Sequence, residues 1–163
     1  MEQQNENLTS KVWFITGASR GFGRVWAEAA LKRGDKVAAT ARKLSSIAAL
    51  KEKYGTNVLT LELDVTNTEQ VKTAVAQAHA HFGRLDIVLN NAGYSLVGTI
   101  EEASAEDVKA MFDTNIFGPF GCYSSRIALA ASARWRAYTG HFQQPWPCYT
   151  AGDRLLLFVK MGF

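Results

Sequence analysis

The chain has 163 residues, 47% of them hydrophobic and 20% charged, with a formal net charge of +3. That is enough for one domain with a buried core, and the composition is ordinary for a soluble globular protein. No basic stripe with interleaved aromatics marks a nucleic-acid partner, and no run of apolar residues is long enough for a membrane span.

Met1 to Ser10 is polar and lacks a basic start followed by an apolar core, so it reads as an N-terminal extension and not as a secretory signal. Two cysteines, Cys122 and Cys148, have no metal-ligand spacing; no metal is expected, and a reducing, cytoplasmic setting is. Lys11 to Thr16 is apolar almost throughout, as a strand buried on both faces should be. It runs into Thr16-Gly17-Ala18-Ser19-Arg20-Gly21-Phe22-Gly23. An alanine-rich helix follows from Phe22 to Arg33, with Trp26, Ala29, Ala30 and Leu31 as core candidates and Gly34 as its stop.

A strand, a glycine-rich turn and a helix start together suit a pyrophosphate. Gly17 permits the sharp turn, Gly21 a close approach to the ligand and Gly23 close packing of helix on strand. The unpaired amides of the helix start, with the positive end of its dipole behind them, would face the phosphates. Three glycines in eight residues also make an ordinary surface loop, so the turn alone does not decide between the two.

Lys36 to Ala41 is a second strand, and Ser45 or Ser46 caps a short helix to Lys53, stopped by Gly55. Val58 to Glu62 is a third strand. Thr66 or Asn67 caps a helix from Thr68 to Phe82 with Val71, Ala74, Val75 and Ala78 on one face, and Gly83 ends it. Ile87 to Leu89 is a fourth strand leading into Asn90-Asn91-Ala92-Gly93, and Ser104 caps a helix ending near Asn115. Alternating strands and helices predict a parallel sheet in the order 3-2-1-4, with ligand at the carboxyl ends of the strands.

Four motifs in this order resemble the short-chain dehydrogenase/reductase family, over about Lys11 to Phe120. The resemblance implies an α/β, Rossmann-like doubly wound parallel sheet, here truncated after about four strands and their helices. It makes Gly17, Ser19, Arg20, Gly21, Phe22 and Gly23 the cofactor loop. It places Asp64-Val65 at the adenine and Asn91, Ala92 and Gly93 beside the nicotinamide ribose. Asn115, in Asp113-Thr114-Asn115-Ile116-Phe117-Gly118, matches the Asn of the family's catalytic tetrad. The implied activity is hydride transfer between a nicotinamide and a small-molecule alcohol or carbonyl substrate.

A carboxylate at the end of the second strand would favour NAD. Ala41 holds that place here, followed by Arg42 and Lys43, and Arg20 stands in the loop. Cations without a carboxylate suit a 2′-phosphate, so NADP(H) is expected over NAD(H). The remainder of the family's chemistry is absent from the sequence. The family's Tyr exchanges the proton at the substrate oxygen, with a Lys four residues later lowering its pKa. Tyr54, Tyr94, Tyr123, Tyr138 and Tyr149 all lack a Lys at that spacing.

The composition changes near Gly121. Residues 122–163 carry five basic side chains and only Asp153 as an acid. The expected organisation is therefore an extension over 1–10, a dinucleotide-binding unit over 11–121 and an atypical tail over 122–163. Within the tail, Ser124 to Arg136 could be helical, Gln143 to Pro147 is irregular and Leu155 to Val159 could form a strand.

Reading the codons of the tail one base out of register permits Tyr-Cys-Ser-Ser-Lys-Trp-Ala near its end. A permitted Ser spans Gln143 and Gln144, thirteen codons before that Tyr. This is the family's Ser, Tyr and Lys spacing, and it predicts a frameshift near codons 118 to 122. Splicing or divergence of the C-terminus are the alternatives. As written, the chain is expected to hold a cofactor half-site with Asn115 as the one catalytic residue. Other readings are a non-catalytic nucleotide-binding module and a misfolding fragment. The absence of later strands and helices predicts a lost oligomer interface and poor solubility.

Overall fold

The computed structural model describes residues 10–99 and 101–130. Four strands, β1 (Val12–Ile15), β2 (Lys36–Ala41), β3 (Val58–Glu62) and β4 (Ile87–Leu89), form one sheet in the order β3-β2-β1-β4. All three pairings are parallel: Phe14 faces Ala38 and Val88, and Ala39 faces Thr60. Helices α1 (Gly21–Lys32), α2 (Ala48–Tyr54), α3 (Thr68–Phe82), α4 (Ala105–Phe112) and α5 (Gly118–Ala130) follow in chain order. The architecture is the α/β, Rossmann-like one expected.

Strand alternation divides the core between two faces. Phe14, Ala38, Leu61 and Val88 pack with α3 and α5 through Val71, Ala74, Val75, Ala78, Cys122 and Tyr123. Ile15, Val37, Ala39 and Val58 pack on the other face with α1 and α2 through Ala27, Ala30, Leu31 and Leu50. Each fully buried large side chain of this kind contributes about 1.5–3 kcal/mol. Two carboxylates fasten the start of β1. Asp35 accepts from the Lys11 N–H at 2.9 Å and from the Trp13 indole at 2.8 Å, and it pairs with Arg33. Asp86 accepts from the Val12 N–H at 2.8 Å and from Arg84 Nε at 2.9 Å.

Several expectations need correction. The helix after β1 starts at Gly21, and its buried face is Gly23, Ala27, Ala30 and Leu31; Ala29 is exposed and Trp26 only half-buried. Ser45 and Ser46 cap nothing: they lie in a 3-10 turn, Leu44–Ile47, where Ser46 Oγ donates back to the Lys43 carbonyl. Asn67 does cap α3, accepting from the Glu69 and Gln70 amides. Ser104 caps α4, accepting from the Asp107 amide.

The helix begun at Ser104 does not stop near Asn115. A π-helical turn, Asp113–Phe117, carries it into α5. Pro119 has no N–H to give a preceding turn, and a wide turn directly before it accommodates that loss. The composition change at Gly121 therefore falls within a continuous helix. Cys122 and Tyr123 are buried against α3, and Arg126 donates to the Leu85 carbonyl at 3.0 Å. The readings of residues 131–163, and of the extension before Ser10, lie outside the described residues.

Candidate functional site

Where β1 ends, the chain turns back through two glycines in the left-handed region, Gly17 at φ +66° and Gly21 at φ +58°. Side chains other than glycine rarely adopt that conformation. The turn delivers α1 with its N-cap residue, Arg20, extended and without any side-chain cap, and with no acid in the first turn. The opening amides of α1 thus have no side-chain acceptor, and an anion completes such a terminus. Gly23 lies directly beneath the turn. A Cβ there would overlap both the Gly17 carbonyl oxygen and Asn91 Nδ2.

A buried cross-link joins the ends of β1 and β4. Thr16 Oγ1 accepts from the Asn91 N–H at 2.9 Å and the Ala92 N–H at 3.0 Å. The Asn91 carboxamide donates to the carbonyls of Thr16 at 3.1 Å and Gly17 at 3.0 Å. The loop after β4 is held further on by Asn115. Its Oδ1 accepts from the Tyr94 N–H at 3.1 Å, and its Nδ2 donates to the Tyr94 carbonyl at 2.7 Å. Gly93 leaves the room that this clamp needs, since a Cβ there would meet Asn115 Oδ1 at 2.9 Å.

A cleft of about 450 Å³ opens at the carboxyl ends of the strands. Gly17, Ser19, Arg20, Gly21 and Phe22 line it from the first turn, and Arg42 from the end of β2. Asp64 and Val65 line it from the end of β3, and Asn91, Ala92 and Gly93 from the end of β4. Asp64 Oδ1 accepts from the Thr66 hydroxyl at 2.7 Å and from its amide at 3.0 Å. These bonds, with a weaker contribution from the Arg42 charge against an opposing effect of burial, hold the Asp64 carboxyl below its usual range. Among the described residues no cluster of His, Cys, Asp and Glu could hold a metal ion.

Eleven of the residues expected at the site thus face one cleft, although they come from four separate loops. Gly23 and Asn115 do not line it. Gly23 supports the turn from below, and both polar atoms of the Asn115 side chain are bonded to the Tyr94 backbone. In this structure the Asn115 side chain is taken up in holding the loop after β4. The sequence reading missed Tyr94, Thr114 and Leu63, which also line the cleft, and the Thr16 cross-link. Thr16 opened the recognised loop, so a hydroxyl at a strand end was the available signal. Tyr94 and Thr114 carried none, because the Asn115 clamp and the π-helical turn place them.

A cleft at the strand ends, floored by a glycine turn and an uncapped helix, is a dinucleotide-binding arrangement. The family model described as short chain dehydrogenase matches residues 11–134, and the chain belongs to that family. It is 46% identical over 110 residues to Oxidoreductase BOA17 of Botryotinia fuckeliana, covering 67% of this chain and 40% of that protein. It is 40% identical over 116 residues to NADP-dependent 3-hydroxy acid dehydrogenase YdfG of Salmonella typhimurium, covering 71% of this chain and 46% of that one.

Among solved structures, a short-chain dehydrogenase from Streptomyces avermitilis superposes with a TM-score of 0.73 at 36% identity, over 76% of this chain and 46% of the other. ElxO with NADP bound gives 0.70 at 32% identity, over 76% and 51%. The chain spans less than half the length of these two curated relatives. No helix among the described residues is long and apolar enough to cross a membrane.

Proposed function

We propose that this chain binds NADP(H) in the cleft, as the cofactor-holding part of a short-chain oxidoreductase that acts on an alcohol or carbonyl. One observation carries the reading: four loops bring a glycine turn, an uncapped helix start and two arginines to one cleft, with no carboxylate at the end of β2. The α1 amides would hold the pyrophosphate. Arg42, with Arg20, would meet the 2′-phosphate. Asp64 and Val65 would border the adenine, and Asn91, Ala92 and Gly93 the nicotinamide ribose. The bound cofactor would supply the hydride.

The family proton donor pair is missing from the sequence, so we expect binding without turnover. That expectation also serves the second reading, a non-catalytic nucleotide-binding module. Fluorescence titration with NADPH and NADH tests the cofactor assignment, and NADPH oxidation with a panel of carbonyls tests whether the site turns over. Tighter binding of NADPH supports the cofactor assignment, and measurable turnover by the purified chain refutes the missing-site claim. We infer a cytoplasmic protein that acts on a small-molecule substrate.

We infer that the C-terminal tail is read out of frame. The reach of the family match to residue 134 favours a departure nearer that residue than codons 118 to 122. Sequencing the coding DNA from codon 115 past codon 163 tests it. A shifted frame without Tyr and Lys at those codons ends the idea.

A further inference from the structure

Two aromatic side chains at the head of α1 belong to neither core. Phe22, in the first turn, is 71% exposed and lines the cleft. Trp26, one turn further on, is half-buried, and the two rings stack with centroids 5.4 Å apart and planes 19° from parallel. Helix side chains lean toward the helix start, so Trp26 backs the Phe22 ring from the side of the later turn. Packing also fixes the end of the cleft at which this ring stands. The next residue is Gly23, where a Cβ would strike Asn91 Nδ2, and a Cβ on Gly17 would meet the Ala92 Cα at 3.0 Å. The start of α1 is therefore seated against the β4 loop, with Arg42 and Asp64 at the ends of β2 and β3 on the far side of β1.

We propose that the Phe22 ring, held by Trp26, discriminates the redox state of the cofactor by stabilising the cationic oxidised nicotinamide over the neutral dihydro ring. The proposal rests on the reading of the cleft as a nicotinamide dinucleotide site. The oxidised ring is planar and positively charged, and the face of an aromatic side chain attracts such a cation. The reduced ring has lost both its charge and its aromaticity, so it gains only apolar contact from the same face. Asp64 is the one carboxylate lining the cleft among the described residues, and it stands at the end of β3. A ring cation beside Asn91, Ala92 and Gly93 thus has no carboxylate lining the cleft next to it, and the open Phe22 face supplies the negative partner there. Trp26 is a positioning residue: the stack limits the rotamers open to Phe22, so less side-chain freedom is lost when the cofactor arrives.

Calorimetric titration of the 163-residue chain tests this, with NADP+, NADPH and adenosine 2′,5′-bisphosphate, which lacks the nicotinamide, as probes. Phe22→Leu should weaken NADP+ binding about fourfold while NADPH changes by less than about twofold and the bisphosphate is unaffected. Trp26→Leu should weaken NADP+ in the same direction, about twofold, and Trp26→Phe should restore it. Phe22→Leu alters an exposed side chain, so its thermal melt should match the parent. The ratio of the two redox-state affinities is read in each variant, and a general loosening of α1 would lower both affinities together and leave that ratio in place. Equal losses for NADP+ and NADPH in Phe22→Leu, or no loss of either, overturn the proposal. A loss of bisphosphate affinity in Phe22→Leu also overturns it, because the ring would then serve the adenine. The cofactor reading is reported separately by the parent: bisphosphate binding without a redox-dependent loss in Phe22→Leu defeats the platform alone, whereas a parent that binds none of the three defeats the cofactor reading and the platform with it.

Discussion

The two ends of the cleft are built differently. At the β1–β4 end, buried bonds tie Thr16 and Gly17 to Asn91 and Ala92, partners some 74 to 76 positions apart in the chain. At the β2–β3 end, Asp64 is fastened only within its own turn, its carboxylate to Thr66, its amide to Gln70 and its carbonyl to Asn67, and Arg42 is exposed and makes no ion pair among the described residues. The first end bonds Thr16 and the Asn91 carboxamide internally, with the buried Asn90 carboxamide left without a partner among the described residues, and it fixes the shape of the cradle. The second leaves charge available to a ligand. Substitutions at the first end should therefore cost stability and binding together, and substitutions at the second should cost binding alone.

The largest effect is expected at Gly23. Gly23→Ala would push a methyl group into the Gly17 carbonyl and the Asn91 carboxamide, and backbone cannot yield as a flexible side chain does. We expect a loss of about 3 kcal/mol in stability, read from denaturant melts, and no detectable NADPH binding by fluorescence. Retained binding would mean that the β1–β4 end is softer than its bonds suggest.

Asp35 tests the same end from behind, at the root of β1. Asp35→Ala leaves the Lys11 amide and the Trp13 indole without their acceptor, at an expected cost of about 2.5 kcal/mol. The effect should depend on pH. Burial by itself would raise the Asp35 carboxyl, but the bonds from Lys11, Arg33 and Trp13 outweigh it and hold the group below its ordinary value of 3.8. A depressed carboxyl stabilises the fold above its unfolded pKa, and this stability disappears as pH falls through the folded pKa. The difference between parent and Asp35→Ala in thermal melts should therefore be full at neutral pH and shrink below about pH 4.

Thr16→Val should cost somewhat less, about 2 kcal/mol. It keeps the shape and removes the oxygen that accepts from two part-buried amides. Denaturant melts and NADPH titration should move together, because the same amides hold the loop that carries Asn91, Ala92 and Gly93.

Much of this framework was legible in the sequence, and the reason is local. Continuous apolar runs such as Val12–Ile15 mark strands buried on both faces, and Gly83 and Asn67 bound α3 by their own backbone chemistry. The strand order follows from alternation with helical crossovers. What stayed hidden depends on distant partners. The Thr16–Asn91 cross-link joins residues far apart in the chain, and no pattern at either position announces the other. The α1 core face was read in part: Ala30 and Leu31 are buried as expected, while Gly23 and Ala27 share their helix face in place of Trp26 and Ala29. The helix from Ser104 was expected to end near Asn115, and the π-helical turn instead carries it past Pro119. Tyr94 entered the cleft by the same route, through Asn115.

The smallest expected effect is the most discriminating. Arg42→Ala removes an exposed guanidinium that lines the cleft and touches neither core. Its melting midpoint should match the parent, unlike those of the three variants above. If Arg42 meets a 2′-phosphate, NADPH affinity should fall about tenfold, near 1.4 kcal/mol, while NADH affinity should hold. Equal losses for both dinucleotides would instead mean that Arg42 acts on the common pyrophosphate or on the field of the whole cleft. A shift in melting midpoint would contradict the division of the cleft itself, since it would make the open end part of the scaffold. Salt separates these cases further: a solvated charge contact should weaken between low and moderate ionic strength, whereas the buried Thr16 and Asn91 bonds should not.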